Sequence, residues 1–254
     1  MKKTIAFGVL FTILLNSVTA SNTVEARQLF FASKAKLALK NVHLILDLKT
    51  FDGRGNSKAK SLDIAFAEFN KEKKILIKIT APDNVKGTKI LTTDSPDKKG
   101  IVEIYMPATG KIQKIRASKR NLRIMGSEIP LAQFSNVVEA GFKFSLLGKD
   151  DLNGTLCYKI KLESPDAGEY GIAFVSVKDE NLLRLEQYDS RQVMITLTKF
   201  SEYAEVSNTS GKYYPRFISV KNLKTGECSD MKILRASYIT DISIDDFSLA
   251  NAGS

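Results

Sequence analysis

The sequence predicts a mainly β protein with few helices, built as a large antiparallel sheet or open barrel. Three observations predict it. From Asn41 onward, apolar residues recur with a period of two in one run after another. Short turn-forming stretches such as "DGRGN" and "NKEKK" separate those runs at close spacing. No Pro-, Gly- or Ser-rich linker and no internal repeat breaks the succession, so residues 21–254 read as a single domain.

The first residues read as an address. "MKK" is a cationic start, "TIAFGVLFTILL" an apolar core, and "NSVTA" ends in small residues suited to cleavage after Ala20. The apolar run falls short of the ~20 residues that span a bilayer. Residues 1–20 are therefore expected to be a cleavable signal peptide, and the mature chain a soluble periplasmic protein. Position 21 is serine, so no lipid is expected there.

Next, "TVEARQLFFASKAKLAL" reads as a helix. Strong helix formers dominate it, Glu25 lies near its start and lysines lie in its later turns, as the helix dipole favours. Leu29, Phe30, Ala32, Ala35 and Leu37 form a loose apolar face.

The strand pattern then begins with "VHLILDLKTF", which sets Val42, Leu44, Leu46 and Leu48 against His43, Asp47 and Lys49. "LDIAFAEF", "ILIKITA", "TKILTTD", "IVEIYM" and "KIQKIRA" continue it. The second half repeats the habit in "FKFSLL", "LCYKIKLE", "GIAFVSV", "LLRLEQY", "VMITLTKF", "FISVKN" and "MKILRASYI", with "KDEN" and "LKTGECSD" as hairpin connections. About eleven short strands at this spacing suit a large antiparallel sheet. The interruption is "RNLRIMGSEIPLAQF", whose Met125, Ile129, Leu131 and Phe134 are more apolar than a turn requires.

Composition bounds the function. An apolar share of 43% allows a real core, and 26% charged residues argue against disorder. The net charge of +10 loses two units when Lys2 and Lys3 leave with the leader, and the remainder suits an anionic partner or a solvated lysine-rich surface. "KIQKIRASKR" concentrates Lys111, Lys114, Arg116, Lys119 and Arg120. The interleaved residues are Ile112 and Ile115, with no aromatic stacking platform, so a nucleic acid is not expected. A lysine-guarded strand edge and a rim that meets lipid phosphates both remain open.

Catalytic chemistry finds little support. His43 is the only histidine, on the polar side of its strand, where it reads as a surface residue. Cys157 and Cys228 can close a disulfide in an oxidising compartment or stay free, and their number and spacing support no zinc site. Asp150-Asp151 and Asp245-Asp246 flank turn residues, where solvation suffices. No phosphate-cradling glycine loop and no metal-ligand spacing occurs, so no cofactor and no enzymatic activity are expected.

One stretch goes further. "VKGTKILTTDSPDKKGIVEIYMPATGKIQKIRASKRNLRIMGSEIPLAQFS" resembles the outer-membrane lipoprotein-sorting family, relatives of the periplasmic lipoprotein carrier. The resemblance runs through Gly87-Thr88, a hydrophobic strand ending in Met106-Pro107, the basic strand Gly110 to Ile115, and Met125-Gly126-Ser127-Glu128. Two features depart from the family pattern: Ile129 stands where an aromatic is common, and "PLAQF" lacks an acidic pair. The resemblance implies an unclosed β-barrel whose concave face is covered by a helical lid, enclosing a hydrophobic cavity for acyl chains. In that picture Leu29, Phe30, Met125, Ile129, Leu131 and Phe134 are lid residues, although packing under a loop would ask for the same side chains.

The expected function is that of a periplasmic carrier. It would bind a lipid or the acyl chains of a lipoprotein and deliver them toward the outer membrane. The resemblance also implies an inner-membrane transporter as donor and an outer-membrane acceptor, with the carrier itself a monomer. The rival readings are a lipid- or lipoprotein-sensing module of the same fold, an accessory protein of an inner-membrane lipid transporter, and a lipid hydrolase.

Overall fold

The computed structural model describes residues 9–37, 40–95, 98–116, 123–130, 141–165, 168–209 and 211–249, with the backbone alone at 9–21, 95, 98, 99 and 116. Among the described residues one long helix, α1 (Val9–Leu37), precedes thirteen strands. It starts earlier than Thr23, inside the segment read as a leader, because "VLFTILL" contains nothing that breaks a helix. Among the described residues no helix is long and apolar enough to cross a membrane.

The strands are β1 (Val42–Phe51), β2 (Ser57–Phe69), β3 (Glu72–Ala81), β4 (Lys89–Ser95), β5 (Lys98–Met106), β6 (Lys111–Arg116), β7 (Lys143–Leu152), β8 (Thr155–Glu163), β9 (Tyr170–Ser176), β10 (Leu182–Tyr188), β11 (Met194–Glu205), β12 (Tyr213–Asn222) and β13 (Cys228–Tyr238). Each coincides with a run read as a strand from the sequence, although β9 is continuously apolar from Ile172 to Val175 and not alternating. They join in the order β6-β5-β4-β3-β2-β1-β13-β12-β11-β10-β9-β8-β7, so β6 and β7 are edges and the sheet is not closed into a barrel. Consecutive strands mostly pair, and the pairing of β1 with β13 brings the two halves of the strand sequence side by side. The chain forms two compact units, Met1–Ala35 with Val138–Ile195, and Lys36–Val137 with Thr196–Ser254.

In the second unit, register turns the alternating sequence into a continuous apolar face. Leu44 lies opposite Ile64 on one side and Ala236 on the other, and Ile64 opposite Ile77. One step along, Leu46 meets Leu62 and Ile233, and Leu62 meets Ile79. Leu48 meets Met231, which meets Ile218, which meets Phe200. All these side chains are buried. A one-residue slip would turn every one of them to the opposite face, so the pattern itself fixes the pairing.

Turn chemistry closes the hairpins. Asn70 and Lys71 both adopt positive φ (48° and 69°) between the closing pair Phe69 and Glu72. In "DGRGN", the Asp52 carboxylate accepts from the backbone N–H groups of Arg54 and Asn56, each at 2.9 Å. A Cβ at Gly53 would lie 2.5 Å from the carbonyl oxygen of Thr225, in the turn between β12 and β13. Only glycine lets these two turns approach so closely.

The opposite face of β2 to β5 is also covered, which the sequence reading did not foresee. Ala65, Ala67, Leu76, Leu91 and Tyr105 meet Ile242, Phe247 and Leu249 from the segment after β13. The Phe69 and Phe247 rings stand edge to face at 5.7 Å. The strap is shaped by a capping box: Asp245 N donates to Ser243 Oγ, and Ser243 N donates to Asp246 Oδ2 at 2.8 Å. The Asp246 carboxylate and the Asp245 N–H therefore build this turn.

Phe247 is 3% exposed whereas Ile244 of the same strap is 52% exposed. Phe247→Ala should lower unfolding free energy by about 3 kcal/mol in urea titrations. Ile244→Ala should change it by less than about 0.5 kcal/mol. Equal effects would mean that the strap does not pack through Phe247.

Candidate functional site

The stretch that carries the family resemblance folds into a tight loop over residues 123–130. Ile124–Gly126 make one 3-10 turn, with Met125 at φ 48° and Gly126 at φ 75°. Arg123 and Pro130 bridge in antiparallel fashion, and Ile124 N donates to the Ile129 carbonyl at 2.9 Å. Ser127 Oγ accepts from Ile129 N at 3.1 Å. Pro130 thus sits in an extended bridge. Both isoleucines are 0% exposed.

Polar bonds clamp this loop to three strands of its own unit. Glu128 N donates to Ser229 Oγ on β13 at 2.8 Å. The Glu128 carboxylate accepts from Asn222 Nδ2 on β12 at 3.1 Å and from Arg123 Nη1 within the loop at 2.8 Å. Lys60 Nζ on β2 reaches the Met125 carbonyl at 3.4 Å. The Glu128 side chain is 14% exposed, whereas its partner Arg123 is 46% exposed, so the charge-assisted pair is covered on the carboxylate side only. The Met-Gly-Ser-Glu run is therefore a fold-defining clasp. Ile129 is core beneath it, and Met125 is half-buried.

In the other unit, α1 presents a buried stripe of Ala26, Phe30, Ser33 and Lys34, spaced for one helix face. Phe30 and Phe31 lie 5.6 and 5.8 Å from the Phe144 ring on β7. Asn22 Nδ2 adds a bond to the Leu146 carbonyl at 3.4 Å. Leu29 is half-buried. Lys34 was not foreseen as a buried residue: it is 8% exposed, and burial pulls its ammonium from an ordinary pKa of 10.5 down to about 8.

The face of β7 to β9 that carries Lys143 bears a cleft of about 910 Å³, lined among others by Lys143, Leu147, Lys161, Glu163, Tyr170 and Ile172. Lys161 bonds Glu163 at 2.7 Å and stands 4.9 Å over the Tyr170 ring, whose other face stacks on Tyr188 at 4.7 Å. Tyr188 donates to Glu186 at 2.7 Å, and its phenol is pushed up to about 12 by burial and by that carboxylate. Lined by Lys143, Lys161, Glu163 and Glu169, this cleft is not the apolar space implied by the resemblance.

Of the residues singled out in the sequence, Leu131, Phe134, Lys119 and Arg120 lie outside the described residues. Lys111 and Lys114 are exposed on β6, Lys114 pairing with Glu103 at 3.2 Å, and Arg116 is described by its backbone. Cys157 and Cys228 are free thiols, buried and half-buried, so the disulfide left open by the sequence is not formed. Burial raises both thiols, with Asp151 acting on Cys157 and Asp230 on Cys228, opposite to an activated nucleophile. His43 bonds Asp63 at 2.7 Å across the strands, while its strand neighbour Asp47 accepts from Ser61. Among the described residues no group of three or more His, Cys, Asp or Glu is placed to hold a metal ion.

The strand order and the open sheet define the fold, and solved structures share it. An outer membrane lipoprotein-sorting protein domain from Vibrio parahaemolyticus matches with TM-score 0.71 and 16% identity, over 91% of this chain and 99% of that one. A DUF1329 family protein from Desulfovibrio piger matches with TM-score 0.72 and 16% identity, over 89% and 97%. A LolA superfamily protein from Nitrosomonas europaea matches with TM-score 0.64 and 15% identity, over 88% and 97%. At such identities the likeness is one of fold. A family model with the description "Uncharacterized protein" matches residues 71–251, and the chain belongs to that family. Curated protein sequences give no match.

The buried lysine yields a signed prediction. Between pH 8 and 10.5 the unfolded chain binds a proton at Lys34 that the folded chain has released, so stability should rise with pH across that window. Lys34→Met should remove this rise, because the variant has no ammonium to titrate there. Thermal unfolding at a series of pH values reads the effect. An identical pH slope in the variant would locate the rise elsewhere.

Proposed function

We propose that the protein is a periplasmic carrier, exported by the leader in residues 1–20, that takes up a lipid or the acyl chains of a lipoprotein and delivers them toward the outer membrane. The observation that carries this reading is the fold: three solved structures of this kind, one of them an outer membrane lipoprotein-sorting domain, cover nearly their whole length on this chain.

On this reading no covalent step is involved. Apolar burial drives uptake at about 25 cal/mol per Å² of surface covered. Release requires a partner or membrane that offers comparable burial. Donor and acceptor would be an inner-membrane transporter and an outer-membrane receptor. Leu29, Met125, Leu131 and Phe134 are the cover residues proposed to meet the chains. Phe30 and Ile129, buried as they are, would act by holding those covers in place.

Mass spectrometry of an organic extract from protein purified natively from the periplasm tests the reading. Stoichiometric lipid is expected. A clean extract, together with failure to bind a fluorescent fatty-acid probe, would sink it. Phe134→Asp should weaken probe binding while leaving the β-sheet circular dichroism intact. Collapse of the sheet would show Phe134 to be core, and unaltered binding would remove it from the cavity.

A further inference from the structure

We propose that the face of β3 to β6 opposite the main apolar core docks onto an anionic lipid surface, through Lys78, Lys89 and Ile112. Strand register places them in one row. Lys78 lies directly opposite Lys89, Lys89 opposite Tyr105, and Tyr105 opposite Ile112. Side chains opposed in this way share a face of the sheet, and two like charges directly opposed destabilise an antiparallel pair.

Among the described residues neither ammonium closes an ion pair. Carboxylates that share the face include Asp63, opposite Lys78 and hydrogen-bonded to His43 at 2.7 Å, and Glu103, paired with Lys114 at 3.2 Å. Lys86 is exposed in the turn between β3 and β4, whereas Lys114, two residues from Ile112 on the same face, has its charge offset by Glu103. Of the strap's acidic residues, Asp246 accepts from Ser243 N and caps its own turn.

The far end of the row is apolar. Tyr105 packs against the strap, but Ile112 is left 50% exposed on the edge strand. A lysine-guarded edge would need no isoleucine there. Adjacent ammonium groups with an exposed aliphatic side chain beside them match a bilayer interface. The amines meet lipid phosphates, and the aliphatic side chain enters the boundary between headgroups and acyl chains. The run Lys111 to Arg120 contributes Ile112 and Lys114 to this face, whereas Lys78 and Lys89 join it only through folding.

The test is cosedimentation of the full chain with phosphatidylcholine vesicles, with and without about a third phosphatidylglycerol. Binding to the anionic vesicles only is expected, weakening as salt is added. Lys78→Gln with Lys89→Gln should weaken the partition about 25-fold, at roughly one ordinary surface-lysine contribution each. Ile112→Ser should reduce the binding that survives at high salt. Lys178→Gln with Lys199→Gln removes the same charge from exposed positions elsewhere and should leave binding unchanged.

Absence of binding to anionic vesicles would overturn the proposal, and so would an equal loss in the control pair. Unfolding midpoints of the variants exclude misfolding, and the Lys78/Lys89 variant should unfold no earlier than the parent because a repulsion has been removed. Fatty-acid probe binding by that variant should be intact, so failure of the docking face and failure of the carrier reading are separable.

Discussion

Complete coverage of an apolar β face is the constraint on which the second unit depends. Leu44, Leu46, Leu62, Ile64, Ile77, Ile79, Ile218 and Met231 form that face, and none is more than 2% exposed. Each of these side chains contributes on the order of 2 kcal/mol if water is excluded from it. The pairing of β1 with β13 is what makes the face continuous, because it sets Leu46 and Leu48 against Ile233 and Met231, residues almost two hundred positions away in the chain. The strap on the opposite face follows the same rule on a smaller scale. Ala65 and Ala67 leave shallow room there, and Phe247 and Leu249 fill it.

The clasp shows how a polar device serves apolar coverage. A loop carrying two fully buried isoleucines has to hold its own backbone groups while it sits on an apolar face. The Ile124–Ile129 bond and the Ser127 hydroxyl do this internally, and Glu128 ties the loop to Ser229 and Asn222. Removing the Glu128 carboxylate would strand Arg123 and Asn222 together, so the loop's position rests on a network whose members depend on one another.

The fold was largely legible in the sequence because a period of two can be read without knowing which strand pairs with which. Most of the strands lie on alternating runs, including those on which the family resemblance rests, whereas β9 is continuously apolar from Ile172 to Val175. The strap was illegible for a physical reason: "ITDISIDDFSLA" has neither helical nor strand period, and only the folded sheet shows that Phe247 has a groove to fill. Lys34 was hidden in the same way, since lysine in a helix is ordinarily a solvated residue and its burial follows from the side of α1 that carries Phe30. At the clasp, the apolar character of Ile124 and Ile129 was readable, but the choice between cover and core depends on contacts that no local pattern encodes.

A face so fully covered also bears on how a carrier of this fold would work. With the side chains of this face buried, an acyl chain that reached it would replace protein side chains that already cover it. The exchange then trades one apolar contact for another, and its net free energy is a small difference between two similar terms. Small net affinity is what delivery requires, because cargo held by the whole burial energy of two acyl chains would not leave on any useful timescale. Rigid elements such as the clasp, fixed by charge-assisted bonds, would stay in place during the exchange. Covers held by apolar contact alone, with Met125 as a polarisable member beside them, would be the ones to yield.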